Sequence, residues 1–392
     1  MTNSSITEQS FRINLRVMRA FQLYPPENHT PLYKIKAYFV HFVFVMYIPI
    51  LGILYLLLEE HLDMERVNYN AAFLAQVTAF SAKFLPIINN AHRIKKCITF
   101  FESSSFNITK AKHGNILDNC IQICRRNTRI FLVCVAVGVT NWATKPLFWE
   151  ERNFPTDIWL PFNATSHITV YCCVYIYLAT GVYLSAIAAG VVDPLIAGLA
   201  YHATSQIQIL KDNLQHLSEY AEEEISKSEI KNDFEHQRLR AEIIYNSIRE
   251  LNHIFGFVKE FEKCFSSSIF CQIAGSVFVI CFCCLQLSKI ESFGYYFLQL
   301  ISYLIVILAE IYFYCYYGST LSDESDTLID AIYMSEWYIY DVKSKKALIT
   351  LMERSKQPIT VAAGKLVELS LITFVTILRR SYSLIAVMKN FQ

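Results

Sequence analysis

Charge is scarce in this chain. Only 18% of its 392 residues are Asp, Glu, Lys or Arg, and their formal sum is +1. No net field therefore points to nucleic acid as a partner. Glycine and proline are few as well, 11 and 10 residues, which leaves little room for long flexible linkers between soluble domains. The amino-terminal MTNSSITEQSFRINLRVMRAF has no short apolar core ahead of a small-residue cleavage site, so no cleaved signal peptide is expected and the first spanning helix is expected to act as the targeting signal. Catalytic motifs are missing too: there is no nucleophile elbow, no phosphate-cradling glycine loop and no His-Glu-x-x-His, so enzyme activity is not expected. The 12 cysteines avoid the three segments placed outside below, which argues against disulfides. No histidine stands at ligand spacing near Cys120 and Cys124, so no metal centre is expected.

What the chain has is apolar sequence, 54% of the total, with 14% aromatic residues. Apolar runs at 35–58, 69–90, 127–148, 168–200, 265–287, 294–317 and 366–388 are each long enough for a spanning helix. The expected fold is all-α: a polytopic membrane protein of seven transmembrane helices. Connecting segments alternate in charge. The segment up to Lys36, 91–130, 201–264 and 318–358 carry five, eight, eight and five Lys or Arg, against one, two and one in 59–67, 145–167 and 288–293. Twenty-six basic residues against four set the N-terminus in the cytoplasm and, after seven crossings, the C-terminus outside. Of the sequons, Asn163-Ala-Thr falls outside and is expected to carry sugar, while those at Asn28 and Asn107 fall inside and are expected to stay bare.

The segment 201–264 is too long for a simple loop. Ile207, Leu210, Leu214 and Leu217 form one helical stripe and Ile244, Ile248, Leu251, Phe255 and Val258 another, so the fourth and fifth helices are expected to run on beyond the membrane. The expected division is a cytoplasmic segment 1–34, helices one to six over 35–317, a cytoplasmic stretch 318–365, and a terminal helix 366–392. The run from Pro358 to the end reads as one long helix, apolar from Ser370 to Met388 except for Arg379, Arg380 and scattered hydroxyls. Such a helix faces water or protein on one side. Ser381, Ile385 and Met388 share one face of it, and bulky Ile385 suits closure by dewetting. Lys83, Asp193 and Glu310 lie inside other spans, where ionisable groups are costly; Lys83 and Glu310 sit at similar depth, where they can either pair or each snorkel to the interface.

The outer halves of helices two to six are rich in aromatic and small residues. Tyr69, Phe73 and Val77 share a face of helix two; Val135, Gly138 and Trp142 share one of helix three, with Gly138 leaving space beside a large ring. Val174, Tyr177 and Leu178 on helix four, Phe282 on helix five, and Tyr296, Gln299 and Tyr303 on helix six complete an apolar pocket with a few polar tips, suited to a small volatile ligand. At about ten heavy atoms, such a ligand binds at micromolar strength or somewhat better.

The C-terminal part carries a recognisable series: Cys315, Gly318, Glu324 and Ser325, then Tyr333 and Trp337, then Pro358, Ile359, Ala363, Gly364 and Lys365, then Thr373, Phe374, Ser381, Tyr382 and Ser383. In order and spacing this resembles the insect odorant receptor family. The resemblance implies an odorant-specific subunit of a ligand-gated, non-selective cation channel, assembled with the family's shared co-receptor (Orco) as a heterotetramer. It implies a plasma-membrane protein of olfactory sensory neuron dendrites. It also implies an intracellular anchor in which Leu328, Ile329, Ile332 and Trp337 make the subunit contact, and a gate at Ile385 after the Ser381-Tyr382 motif. Two departures stand out: the family usually has Gln where Glu310 stands, and the co-receptor and the related gustatory receptors carry Gln where Met388 stands. A gustatory-type channel is the nearer alternative. A G-protein-coupled receptor is the remoter one, opposed by the charge count and by the missing acidic-Arg-Tyr and Asn-Pro-x-x-Tyr motifs.

Overall fold

The computed structural model describes residues 6–25, 31–59, 64–102, 110–144, 146, 153–228, 233–288, 290 and 294–390. Two short helices, α1 (Ile6–Ser10) and α2 (Arg12–Ala20), begin the chain. They are no loose leader. Phe11 is fully buried, and a side chain on Gly198 would strike its ring at 2.5 Å. Asn14 Nδ2 donates to the Val191 carbonyl at 2.7 Å, and the Arg125 Nε donates to the Gln9 carbonyl at 2.9 Å. The first span is α3 (Pro31–His41), a π-helical turn over Phe42–Met46, and α4 (Tyr47–Leu58). A π turn leaves carbonyls poorly paired within the helix. Here the Tyr177 hydroxyl donates to the Val43 carbonyl at 2.5 Å, and Ser185 Oγ donates to that of Phe44 at 3.5 Å.

Long helices follow: α5 (Met64–Asn89), then the short α6 (Ala91–Thr99), α7 (Ala111–Thr144), α8 (Ile168–Gln215), the short α9 (Leu217–Ser228), α10 (Asp233–Leu287) and α11 (Tyr295–Asp326). With 48 and 55 residues, α8 and α10 reach about 70 and 80 Å, more than twice the hydrocarbon thickness of a bilayer. Their continuation past the apolar runs was expected. That of α7, which begins sixteen residues before its apolar run, and of α11 to Asp326 was not. Among the described residues, five helical stretches are long and apolar enough to cross a membrane: Leu32–Leu58, Asn70–Asn89, Ile168–Gln215, Gln237–Leu287 and Tyr295–Met334. Close helix approach rests on small residues, as where Gly275 of α10 meets Ala79 of α5, leaving 2.3 Å for an added Cβ.

All the extensions gather at one end with α9, α12 (Leu328–Met334) and α13 (Val342–Ser355). Asp341 caps α13 by accepting from the Lys343 and Ser344 amides at 2.9 and 3.2 Å. Asp212 is the polar hub of this end. It pairs with Lys112, with His113 Nε2 at 3.0 Å and with the Tyr220 hydroxyl at 2.5 Å. Burial alone raises its carboxyl, but these partners outweigh it and hold Asp212 down at about 2. Lys211 ties α8 to Glu324 at 2.7 Å.

The last stretch departs from the single helix expected from Pro358 onward. A two-stranded antiparallel hairpin, β1 (Ala362–Ala363) and β2 (Val367–Glu368), precedes α14 (Leu371–Asn390). Gly364 and Lys365 both adopt φ of +60°, a left-handed turn that breaks a helix and that glycine makes possible. The hairpin is docked by residues of the C-terminal series. The Ile359 amide donates to Ser325 Oγ at 2.7 Å, and the Gly364 amide to the Ser266 carbonyl at 3.0 Å. A Cβ on Gly318 would lie 2.4 Å from the Leu369 carbonyl oxygen. These contacts fix where α14 begins.

Candidate functional site

A cavity of about 140 Å³ opens in the half of the bundle away from the extensions. Five helices wall it: Phe73, Gln76, Val77 and Phe80 from α5; Phe131, Val135, Gly138, Val139 and Trp142 from α7; Ala186, Ala189, Gly190 and Asp193 from α8; Cys283 and Gln286 from α10; and Tyr296, Gln299, Ser302, Tyr303, Val306 and Glu310 from α11. Apolar side chains at helical spacing supply the walls. The Phe73 and Trp142 rings stack with centroids 5.0 Å apart and planes 3° from parallel. A Cβ on Gly138 would meet nothing within 4 Å, so the missing side chain is part of the empty space. A volume near that of a cavity known to take up benzene suits one small ring or chain.

Of the sequence candidates, Phe73, Val77, Val135, Gly138, Trp142, Tyr296, Gln299 and Tyr303 line this space. Val174 and Leu178 do not; they pack with Ile48 and Val182 behind the stacked rings, together with Phe154 and Ile158 of the loop that precedes α8. Tyr177 turns away to the π turn, with its ring 6.3 Å from that of Tyr47. Phe282 is rotated off the cavity and its neighbour Cys283 lines it instead, about 100° further round the helix. The side chain of Tyr69 lies outside the described residues.

The deep end holds an ion cluster. Lys83 Nζ pairs with Asp193 Oδ1 and, at 3.2 Å, with Glu310 Oε1. Gln272 Nε2 donates to Glu310 Oε2 at 2.8 Å, and the Tyr314 hydroxyl donates to Asp193 Oδ1. Lys83 is fully buried, and Asp193 and Glu310 are 1% and 3% exposed. Four buried polar atoms on the cavity wall, Gln76 Oε1, Trp142 Nε1, Gln299 Oε1 and Asp193 Oδ2, meet no hydrogen-bond partner. Buried polar atoms left open cost stability unless something fills them. The loop over the outer end is pinned: Asn70 Nδ2 donates to Asp157 Oδ2 at 2.7 Å and the Trp159 amide to the Leu51 carbonyl at 3.0 Å.

The helix stripes read from sequence stopped one turn short. Phe80, Phe131, Val306 and Glu310 continue the same faces inward, at the spacing that marked the outer residues. The pairing of Lys83 with Glu310 was read, as one of two options, from their similar depth; Asp193 was visible only as an intramembrane charge, and nothing local ties either carboxylate to a pocket.

On α14, Ile377 and Ser381 are buried, and the Cys281 thiol donates to the Ser381 carbonyl at 3.6 Å. Ser381 therefore sits on the face packed against α10. Tyr382, 74% exposed, shares the open face with Ile372, Val375 and Arg379. Ser381 is small enough to let the two helices approach, so it serves packing where an open, axis-facing position was expected. Arg380 is also exposed. The side chains of Ile385 and Met388 lie outside the described residues. Leu328 and Ile332 are buried within the chain's own core, Ile329 and Trp337 are half-buried, and the apolar groups left outside are Tyr333, Met334, Tyr338, Ile339 and Val342. Asn163 is exposed and its Oδ1 accepts from Thr165 Oγ1 at 2.8 Å; Asn28 and Asn107 lie outside the described residues. His202 of α8 joins Cys120 and Cys124, with one ligand atom from each within 4.8 Å of the others. Sequence spacing missed this trio. It could hold a soft metal ion, but His202 Nε2 already pairs with Ser10 Oγ at 2.9 Å, and buried thiols beside a satisfied histidine need no ion.

A polytopic helical membrane protein with a largely apolar cavity for one small molecule is a receptor or carrier by class. The chain belongs to the 7tm odorant receptor family, whose model matches residues 63–382. It is 27% identical over 279 residues to odorant receptor Or1 of Anopheles gambiae, covering 67% of this chain and 66% of that one. It is 21% identical over 268 residues to odorant receptor 10a of Drosophila melanogaster, 67% and 64% of the two chains. The chain thus spans about two thirds of these relatives' length. A shorter match, 23% over 126 residues, links it to the odorant receptor coreceptor of Aedes aegypti, 32% of this chain and 26% of that one. The fold is like that of the insect olfactory receptor OR5 from Machilis hrabei, with a TM-score of 0.82, 12% identity and 97% of both chains covered. It is equally like that receptor in complex with eugenol, at 0.82, 11% identity, and 99% and 100% coverage.

Proposed function

We propose that the chain is an odorant-binding subunit of a ligand-gated, non-selective cation channel. The carrying observation is the cavity: a mostly apolar space of about 140 Å³ with a few polar atoms, the right size for a volatile molecule. Two of its walls, α10 and α11, are also the helices on which α14 rests. A ligand that binds more tightly to one arrangement of α10 and α11 would shift α14 with them, a population shift and no more. The open face of α14, with Tyr382 and Arg379, would then line a water path shared with other subunits. Partnership with the shared co-receptor in a heterotetramer is part of the same reading, with the exposed Tyr333, Met334, Tyr338, Ile339 and Val342 as anchor surface. So are a cytoplasmic N-terminus and helical extensions, an outer C-terminus, sugar at Asn163, and residence in the plasma membrane of sensory dendrites. Co-expression with the co-receptor followed by patch recording tests it: odorant should evoke cation current in excised patches without GTP. Current that needs GTP, or none with the protein at the surface, would refute it.

A further inference from the structure

The deep end of the cavity is unbalanced in charge. Asp193 and Glu310 carry two carboxyl groups against the single ammonium of Lys83, and all three are buried. Three of the four carboxyl oxygens are filled. Lys83 and Tyr314 converge on Asp193 Oδ1, Lys83 on Glu310 Oε1, and Gln272 on Glu310 Oε2. The fourth, Asp193 Oδ2, meets no donor, and Asp193 lines the cavity. A buried acceptor of this kind calls for a donor from whatever occupies the space beside it.

We propose that this floor reads the head group of the ligand: it selects molecules that bring an O–H or N–H to Asp193 Oδ2, alcohols, phenols and amines, over ethers and hydrocarbons of the same skeleton. This rests on the cavity being the odorant site. The shared chemistry is the donor. A protonated amine adds charge compensation, because it balances the second carboxylate, whereas a hydroxyl supplies the hydrogen bond alone. The other open polar atoms belong to other parts of the wall: Gln299 stands eleven residues from Glu310 on α11, about 16 Å away along the axis. A molecule of about ten heavy atoms does not reach both ends. The competing arrangement is internal: a proton shared between Asp193 and Glu310 would satisfy Oδ2 without help and leave the floor indifferent to the head group.

Dose–response curves for 2-phenylethanol, 2-phenylethylamine, 2-phenylethyl methyl ether and ethylbenzene, and for the same four head groups on several aliphatic skeletons, test this in cells co-expressing the co-receptor. Donor-bearing members should be at least about tenfold more potent than their ethers, the equivalent of one stranded buried acceptor. Glu310→Gln supplies a permanent amide N–H beside Asp193 and removes the extra charge; it should bring alcohol and ether to within about threefold and erase any amine advantage. Gln299→Leu, at the far end, should shift potencies without changing the alcohol-to-ether ratio. Equal potency of alcohols and ethers on the unsubstituted protein overturns the proposal whatever the variants do, and so does a ratio that survives Glu310→Gln. Silence across every skeleton, with the protein at the surface, overturns the odorant-site reading beneath it.

Discussion

The two ends of the bundle are built to opposite rules. At the end with the helical extensions, charged groups find each other: Asp212 is met by Lys112, His113 and Tyr220, Glu324 by Lys211, and Lys110 by Glu223. At the cavity end the walls are apolar and four buried polar atoms face the space without partners. A network of paired charges holds one arrangement, even with an atom such as His113 Nδ1 left open; a half-satisfied cavity gains from a guest. The ion cluster of Lys83, Asp193 and Glu310 marks the border between them, fully paired but for one oxygen. The cavity and the charged network are thus separated along the same helices, α8, α10 and α11.

Removing Lys83 would break this contrast most severely. Lys83→Met leaves two buried carboxyl groups without their cation, a loss of about 3–5 kcal/mol for a broken buried pair, and a fall in the melting midpoint of the detergent-solubilised protein measures it. An unchanged midpoint would mean that the cluster needs no ammonium. Asp212→Asn strips the hub at the other end, at about 1–3 kcal/mol, and should lower thermal stability while leaving the ranking of odorants untouched; a reordered ranking would show that the two ends are not separate. Because Asp212 is held at about 2, below its ordinary 3.8, the stability it gives is present above about pH 4 and lost as pH falls toward 2. Melting curves of the Asn variant should lack that acid limb.

Glu250, in the extension of α10, has the opposite sign. Burial pushes its carboxyl up to about 8. A raised group favours the fold fully below its ordinary value of 4.5 and loses that contribution as pH rises through about 8. Glu250→Gln should flatten the decline in stability across that window, and a slope identical to that of the unsubstituted protein would place Glu250 in contact with water.

The helical architecture was legible because apolar runs are a one-dimensional signal. The stripes from Ile207 and from Ile244 announced that α8 and α10 run on. The hairpin before α14 was not legible: two residues per strand leave no periodicity, and the turn rests on the backbone angles of Gly364 and Lys365. Of the cavity, the outer wall could be read from Phe73, Trp142 and Tyr296. Of the floor, the Lys83–Glu310 pair could be read from their similar depth; the place of Asp193 beside them could not, because the three residues come together from three helices far apart in sequence. The same holds for His202 beside Cys120 and Cys124. Ser381 was misplaced because spacing gives a face but not which neighbour that face meets.

Gly138 offers the most direct test of the cavity as the odorant site, since it lines the cavity and an added Cβ there meets nothing within 4 Å. Dose–response curves for a size-graded odorant panel should show Gly138→Val losing its largest ligands by tenfold or more, about 1.4 kcal/mol, while its smallest ligands hold or gain. A uniform loss across the panel, or curves that overlay those of the unsubstituted receptor, would contradict the assignment.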